Sequence, residues 1–204
     1  MKIIAIIDYG MCNLDSVARA VEKSGALPII TDESQIIENA EAIILPGVGA
    51  FSEAMKELEA RSLVSVLCKQ VLKQQIPFLG ICLGMQLMAE KGYEGGETVG
   101  LGLIPGEVIH FECENKDIRI PHIGWNEVDQ SKQSLLFNEI PDHSDFYFVH
   151  SYHFSCSEKY VIGRTQYCDG FISSIQHHNC FGVQFHPEKS QKVGLQLLKN
   201  FCSC

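Results

Sequence analysis

"FLGICLGMQLM", residues 78–88, changes character in its middle. Its first half is an apolar run suited to a strand buried on both faces, and its second half favours helix. Between them, Gly80-Ile81-Cys82-Leu83-Gly84 sets one cysteine between two glycines. A tight strand-to-helix turn crowds the backbone on both sides of the residue at its tip. Glycines at positions 80 and 84 therefore let Cys82 stand on a sharp elbow with its sulfur exposed. The N-terminus of the following helix is also a place that favours thiolate over thiol, because unpaired N–H groups stabilise an anion. Cys82 is a candidate nucleophile, and a nucleophile of this kind needs a base.

The units around this elbow repeat its pattern. "KIIAIID" (2–8) reads as a buried parallel strand, and "NLDSVARAVEKSG" (13–25) as an amphipathic helix with Leu14, Val17, Ala18 and Val21 on one face and Gly25 as its stop. "LPIIT" and "AEAIILPG" are short strands, "FSEAMKELEARSLVSVLCKQVLKQ" (51–74) is helical throughout, and "IPFLGI" is the strand that feeds Cys82. Strands alternating with helices imply βαβ crossovers and a doubly wound, mostly parallel sheet covered on both faces. After residue 95 the texture turns β-rich: "GLGLIPGEVIHF", "FYFVHSYHF", "YVIGRTQY", "FISSIQHH" and "CFGVQFH" predict antiparallel strands that extend the sheet, before "SQKVGLQLLKNF" closes the chain as a helix. The expected organisation is one α/β domain over residues 1–204, with no linker or repeat.

Composition excludes several classes of function. With 46% hydrophobic and 20% charged residues, the chain has the balance of a globular protein. A net charge of -9, with no run of Lys or Arg, argues against nucleic acid or an anionic membrane as partner. The opening "MKIIAIIDYG" has too short an apolar stretch for a signal-peptide core, and no run is long enough to span a bilayer. Nine cysteines, an odd count without CxxC pairs, suggest reduced thiols in a cytoplasm. The close trio Cys180, Cys202 and Cys204 lacks metal-ligand spacing, so neither metal nor cofactor is expected.

The base is offered by "GVQFHPEKS" (182–190). His186 follows an apolar strand, and Pro187 holds the link to Glu188 extended. His186 would take the thiol proton and later deliver it to a leaving amine, while Glu188 orients the ring and stabilises the imidazolium. A third element is "LPGVGAF" (45–51), where glycines let the backbone approach a ligand closely. The N–H groups of Val48 and of Leu83, which follows the nucleophile, would form an oxyanion hole. Each element has an ordinary explanation when taken alone: a buried thiol, a turn, a strand end. Their joint occurrence points to chemistry.

With these elements in place, the sequence resembles the class I, triad-type glutamine amidotransferases, a flavodoxin-like α/β family. The family's G-x-C-x-G-x-Q elbow stands here at Gly80 to Gln86, and its H-P-E at His186 to Glu188. Within the family, "DYGMCNLDSV" (8–17), "PHIGWNEV" (121–128) and "FYFVHSY" (146–152) are most similar to the glutaminase subunits that supply ammonia to a (β/α)8-barrel cyclase subunit in histidine biosynthesis. The resemblance implies hydrolysis of L-glutamine through a thioester on Cys82. It also implies that Gln86, Gly47, Gly49 and the backbone of Ser151 and Tyr152 hold the amino-acid end of glutamine, and that Asn13, Trp125 and Lys189 face the barrel partner.

The chain also departs from the pattern. Cys12 stands where the family has glycine, Asp15 where a basic residue is common, and "FISSIQ" (171–176) replaces an alanine-containing strand. The first two lie beside the implied partner surface. The resemblance therefore leaves two destinations for the ammonia, histidine biosynthesis or amidine formation on a bacterial surface sugar by paralogues of the same build. A non-catalytic binding subunit is the alternative of another class, and the intact Cys82, Gln86, His186 and Glu188 argue against it.

Overall fold

The computed structural model describes residues 1–204. The first half alternates as the hydrophobic pattern requires: β1 (Ile3–Ile7), α1 (Leu14–Lys23), β2 (Leu27–Thr31), α2 (Ser34–Glu38), β3 (Ala42–Leu45), α3 (Phe51–Ala60), α4 (Leu63–Cys68), β4 (Phe78–Ile81) and α5 (Leu83–Leu87). The second half holds β5 (Lys91–Gly92), β6 (Thr98–Val99), β7 (Glu107–His110), β8 (His122–Gln130), β9 (Ser144–His150), β10 (Tyr152–Ser155), β11 (Val161–Thr165), β12 (Phe171–His177), β13 (Cys180–Val183) and α6 (Gln191–Cys202). Strand order runs β2-β1-β3-β4-β13-β12-β10-β7-β5-β6, with β11, β8 and β9 branching from β12. Side chains alternate across the parallel strands, so Ile4 and Ile6 join one core cluster while Ala5 and Ile7 join the cluster on the opposite face. Burial on both faces is what a strand of unbroken isoleucine and alanine predicts. No helix is long and apolar enough to cross a membrane.

The structure corrects three expectations and adds one strand that no pattern announced. The helix expected over 51–74 breaks at Arg61 and Ser62, where Ser62 takes a left-handed φ of 58°, and its end relaxes into a π-turn over Lys69–Lys73. On one straight helix Leu58 and Leu63 would point about 140° apart; both are fully buried, and the break re-aims the second. Next, "CFGV" is not purely antiparallel. β13 pairs antiparallel with β12 but parallel with β4, with Gly182 opposite Gly80 and Val183 opposite Ile81. His186 and Cys82 thus leave the sheet side by side at the carboxyl ends of adjacent parallel strands, the usual ligand site of such sheets. The longest strand, β8, carries no apolar inward stripe to announce it. His122 faces in, whereas Ile123 and Trp125 face out. Finally, not all cysteines are reduced: Cys113 and Cys168 form a disulfide, leaving the other seven free.

Candidate active site

The elbow derives its shape from space as much as from torsion. A Cβ on Gly84 would collide with the Leu45 carbonyl, and one on Gly80 would lie 2.6 Å from the Gly84 oxygen. The left-handed torsion falls on Cys82 itself, at φ 54° and ψ -110°. A non-glycine residue in such a conformation costs on the order of 1–3 kcal/mol, and it persists where the surroundings impose it. Cys82 is 6% exposed, so its sulfur is more enclosed than the elbow alone predicts and is reached from one cleft.

That cleft, about 500 Å³, is lined by Gly49, Cys82, Leu83, Gln86, Val149, Ser151 and Tyr152 among others. It brings together most of the residues expected to hold glutamine. Gly47 stands apart: it backs onto Tyr9 and Leu83, and its missing Cβ is what lets the β3 end lie against the elbow. Glu94, which no sequence motif indicated, also lines the cleft. Its Oε2 accepts the Phe51 N–H at 2.8 Å, at the start of α3.

His186 is fixed from several sides. Its N–H donates to the Tyr147 carbonyl at 2.9 Å. Its own carbonyl accepts from Ser190 Oγ at 2.6 Å, and the same Oγ accepts the Tyr147 N–H at 3.0 Å. Gly194 lets α6 close onto this turn, since a Cβ there would strike the Pro187 carbonyl. The imidazole Nδ1 lies 2.8 Å from Glu188 Oε1. A carboxylate can only accept, so Nδ1 carries the proton and Nε2 is turned to the Cys82 side, buried and without a hydrogen-bond partner. A base often tightens onto its nucleophile only when substrate arrives. Burial acts to lower the His186 pKa, but the neighbouring Cys82 sulfur and the Glu188 contact outweigh burial and raise it, to about 10.

The two expected oxyanion donors differ. Leu83 is the first residue of α5, so its N–H has no partner within the helix. The Val48 N–H is instead engaged by the Met11 carbonyl at 2.8 Å, and points away from any oxyanion. On the far side of His186, a narrow crevice is lined by Asn13, Gly47, Val48, His186, Glu188 and Lys189. Trp125, 48% exposed, packs edge-on to Tyr147 at 6.0 Å. Lys189 Nζ lies 5.8 Å from the same ring. Asn13 and Lys189 therefore flank this crevice, and Trp125 shares the Tyr147 ring with Lys189.

Residues 5–203 match the family model for glutamine amidotransferase class-I. The chain belongs to the class I glutamine amidotransferases. It is accordingly a glutamine-hydrolysing enzyme of the cysteine-nucleophile type. It is similar to "Imidazole glycerol phosphate synthase subunit HisH 1" of Campylobacter jejuni, with 50% identity covering 97% of this chain and 98% of that protein. It is also similar to "Imidazole glycerol phosphate synthase subunit HisH" of Moorella thermoacetica, at 48% identity over 98% of this chain and 94% of that one. A solved structure of PurLQS from Thermotoga maritima shares the amidotransferase fold, with a TM-score of 0.76 at 16% identity over 99% of this chain and 98% of that chain.

A buried histidine pair, His150 and His122, borders the amidotransferase cleft through His150. His150 Nδ1 is 2.8 Å from the Tyr152 carbonyl and must donate to it. Its Nε2 then accepts from His122 Nδ1 at 3.2 Å, and His122 Nε2 accepts from Asn126 Nδ2 at 3.3 Å. Both rings are neutral in this arrangement, and burial lowers His122 to about 4 and His150 to about 3. An exposed histidine titrates near about 6.5, so the unfolded chain takes up these protons first. Stability is full above that value and is lost as pH falls from there towards the folded values. Urea midpoints are expected to drop between pH 7.5 and 5, and to drop less in His150→Asn, whose Nδ2 still donates to Tyr152. An equal drop in both would place the acid sensitivity elsewhere.

Proposed function

We propose that the chain is the glutaminase subunit of an imidazole glycerol phosphate synthase, acting as one domain over residues 1–204. The observation that carries the chemistry is the buried His186 Nε2, free of other partners on the Cys82 side, with Glu188 on the opposite ring nitrogen. Cys82 passes its thiol proton to His186 Nε2 and attacks the side-chain amide carbon of glutamine, and the Leu83 N–H receives the developing oxyanion. His186 gives its Nε2 proton to the leaving nitrogen, and ammonia departs from a γ-glutamyl thioester. Water then attacks the thioester with His186 as base, returning the sulfur and releasing glutamate. Glu94, an acidic residue of the cleft, suits the α-ammonium of glutamine, while Gln86, Gly49 and the Ser151-Tyr152 backbone bound the amino-acid end. Gly47 supports this wall from behind.

The partner in this reading is a (β/α)8-barrel cyclase docked over Asn13, Trp125 and Lys189, receiving ammonia through the crevice beside His186. The relatives' names and near-complete coverage support it. A second reading, ammonia for an amidine on a surface sugar, is favoured by Cys12 and Asp15 in the "MCNLD" loop. The test is rescue of a histidine auxotroph lacking its own glutaminase subunit, together with glutamine-dependent turnover beside a histidine-pathway cyclase. Partial rescue is expected. Failure that Cys12→Gly with Asp15→Arg reverses would favour the second reading.

A further inference from the structure

Gln184 is fully buried, at 0% exposure, between the end of β13 and His186, and it takes no part in the steps above. Its neighbours decide which way its amide points. One end of Gln86 lies 2.9 Å from the Tyr152 carbonyl, and because a carbonyl only accepts, that end is the NH2 group. The same NH2 lies 3.1 Å from Gln184, which must present its oxygen there. The Gln184 NH2 is thereby turned towards the Cys82 sulfur, 3.7 Å away, a length suited to a soft N–H···S bond. The Tyr152 carbonyl at the other end is held by His150, and through it by His122 and Asn126. Asn126 cannot flip to break this order, because its Oδ1 accepts the Glu127 N–H and its Nδ2 also donates to the Gln166 carbonyl.

We propose that Gln184 is a positioning residue for Cys82: its Nε2 hydrogen bond holds the sulfur for attack and favours its anionic form, and its orientation is imposed by Gln86 in the cleft wall. This rests on Cys82 being the nucleophile. The Val149 carbonyl, 3.9 Å from the sulfur, is the competing partner that a protonated thiol would choose. Gln184 shifts that balance towards the anion. The titratable groups around the sulfur are His186, Tyr9 beneath the elbow, and His150 and Glu94 in the cleft. Gln184 differs from all of them in being an uncharged donor whose direction is fixed. Glutamine binding against Gln86 and alignment of the sulfur thus share one rigid link.

The test is alkylation of the full chain by iodoacetamide across a pH series, with the Cys82 peptide quantified by mass spectrometry. Gln184→Met keeps the volume and removes the donor. The pH midpoint of Cys82 alkylation is expected to rise by about one unit, as loss of a hydrogen bond to a charged group implies. kcat should fall about tenfold with a smaller change in KM. Gln184→Glu keeps an acceptor for Gln86 but sets a carboxylate against the sulfur, so its midpoint should rise further. An unchanged midpoint in folded Gln184→Met overturns the proposal. Should that variant not fold, Gln86→Met frees the Gln184 amide and is expected to raise the midpoint too; no rise there overturns it equally. Alkylation reads the thiol rather than turnover, so failure here is distinct from survival of glutaminase activity without Cys82, which would overturn the reading beneath it.

Discussion

Cys82→Ala is expected to abolish glutamine hydrolysis, lowering the rate by at least about a thousandfold, while synthesis from ammonium salts in the complex with a barrel partner is retained. The thioester needs the sulfur, and members of a unit that acts together are not additive, so His186→Ala should cost nearly as much. Glu188→Gln keeps an acceptor for His186 Nδ1 but loses the charge. Its loss should be smaller, by about two orders of magnitude. Misfolding cannot imitate this pattern. The left-handed torsion at Cys82 means that alanine at this position keeps the original strain, whereas Cys82→Gly relieves it and should raise unfolding stability by about 1 kcal/mol while remaining inactive. A stable, folded Ala variant that still hydrolyses glutamine with undiminished rate would overturn the role given to Cys82.

How much of this was legible beforehand depended on whether a residue's role is local. The elbow was legible because crowding at Gly80 and Gly84 acts within a few residues of Cys82, and the βαβ half because strands buried on both faces have unbroken apolar runs. β8 was not, because its inward positions His122 and Asn126 are polar and Gly124 has no side chain, which leaves Val128 as its one apolar inward residue. The parallel pairing of β13 with β4 was hidden for another reason. It depends on which strand lies beside Cys82, and "CFGV" reads the same in either direction of pairing. Glu94 and Gln184 escaped notice because no spacing links them to Cys82; folding alone brings them into the cleft and under the sulfur. Ser190, by contrast, has a readable signal in hindsight, a hydroxyl residue directly after "HPEK" that clasps the turn. The serines of "FISSIQ" stay unexplained in physical terms, since the Ser173 and Ser174 hydroxyls are buried without partners.

Activation by a partner is the second large effect expected. With the Val48 N–H engaged by Met11, the isolated chain has the Leu83 amide as its oxyanion donor from the expected pair. Loss of one such donor typically slows an acyl-transfer enzyme by about 10²–10³. The isolated chain should therefore hydrolyse glutamine slower by about that factor than the complex with a barrel subunit carrying its acceptor. A hundredfold activation requires the partner to favour the turned Val48 peptide by about 2.7 kcal/mol, a modest demand on a docked surface. The means lie at the mouth of the site. Met11 belongs to the loop that ends in exposed Asn13, so a body pressing on Asn13 and Lys189 acts on the carbonyl that restrains Val48. Gly49, at a left-handed φ of 105°, and Gly47 before Val48 leave the peptide free to rotate. Cys12 resists the change: its thiol reaches the Ile7 carbonyl at 3.6 Å, and burial lifts its pKa to about 11, so it stays a neutral tether. Cys12→Gly should loosen the Met11 carbonyl, raising the basal rate several-fold and shrinking the activation ratio in proportion. Amide exchange at Val48, slow in the isolated chain, should quicken in the complex. High activity in the isolated chain, unchanged by any barrel and by Cys12→Gly, would remove Val48 from the account and leave the Leu83 amide sufficient.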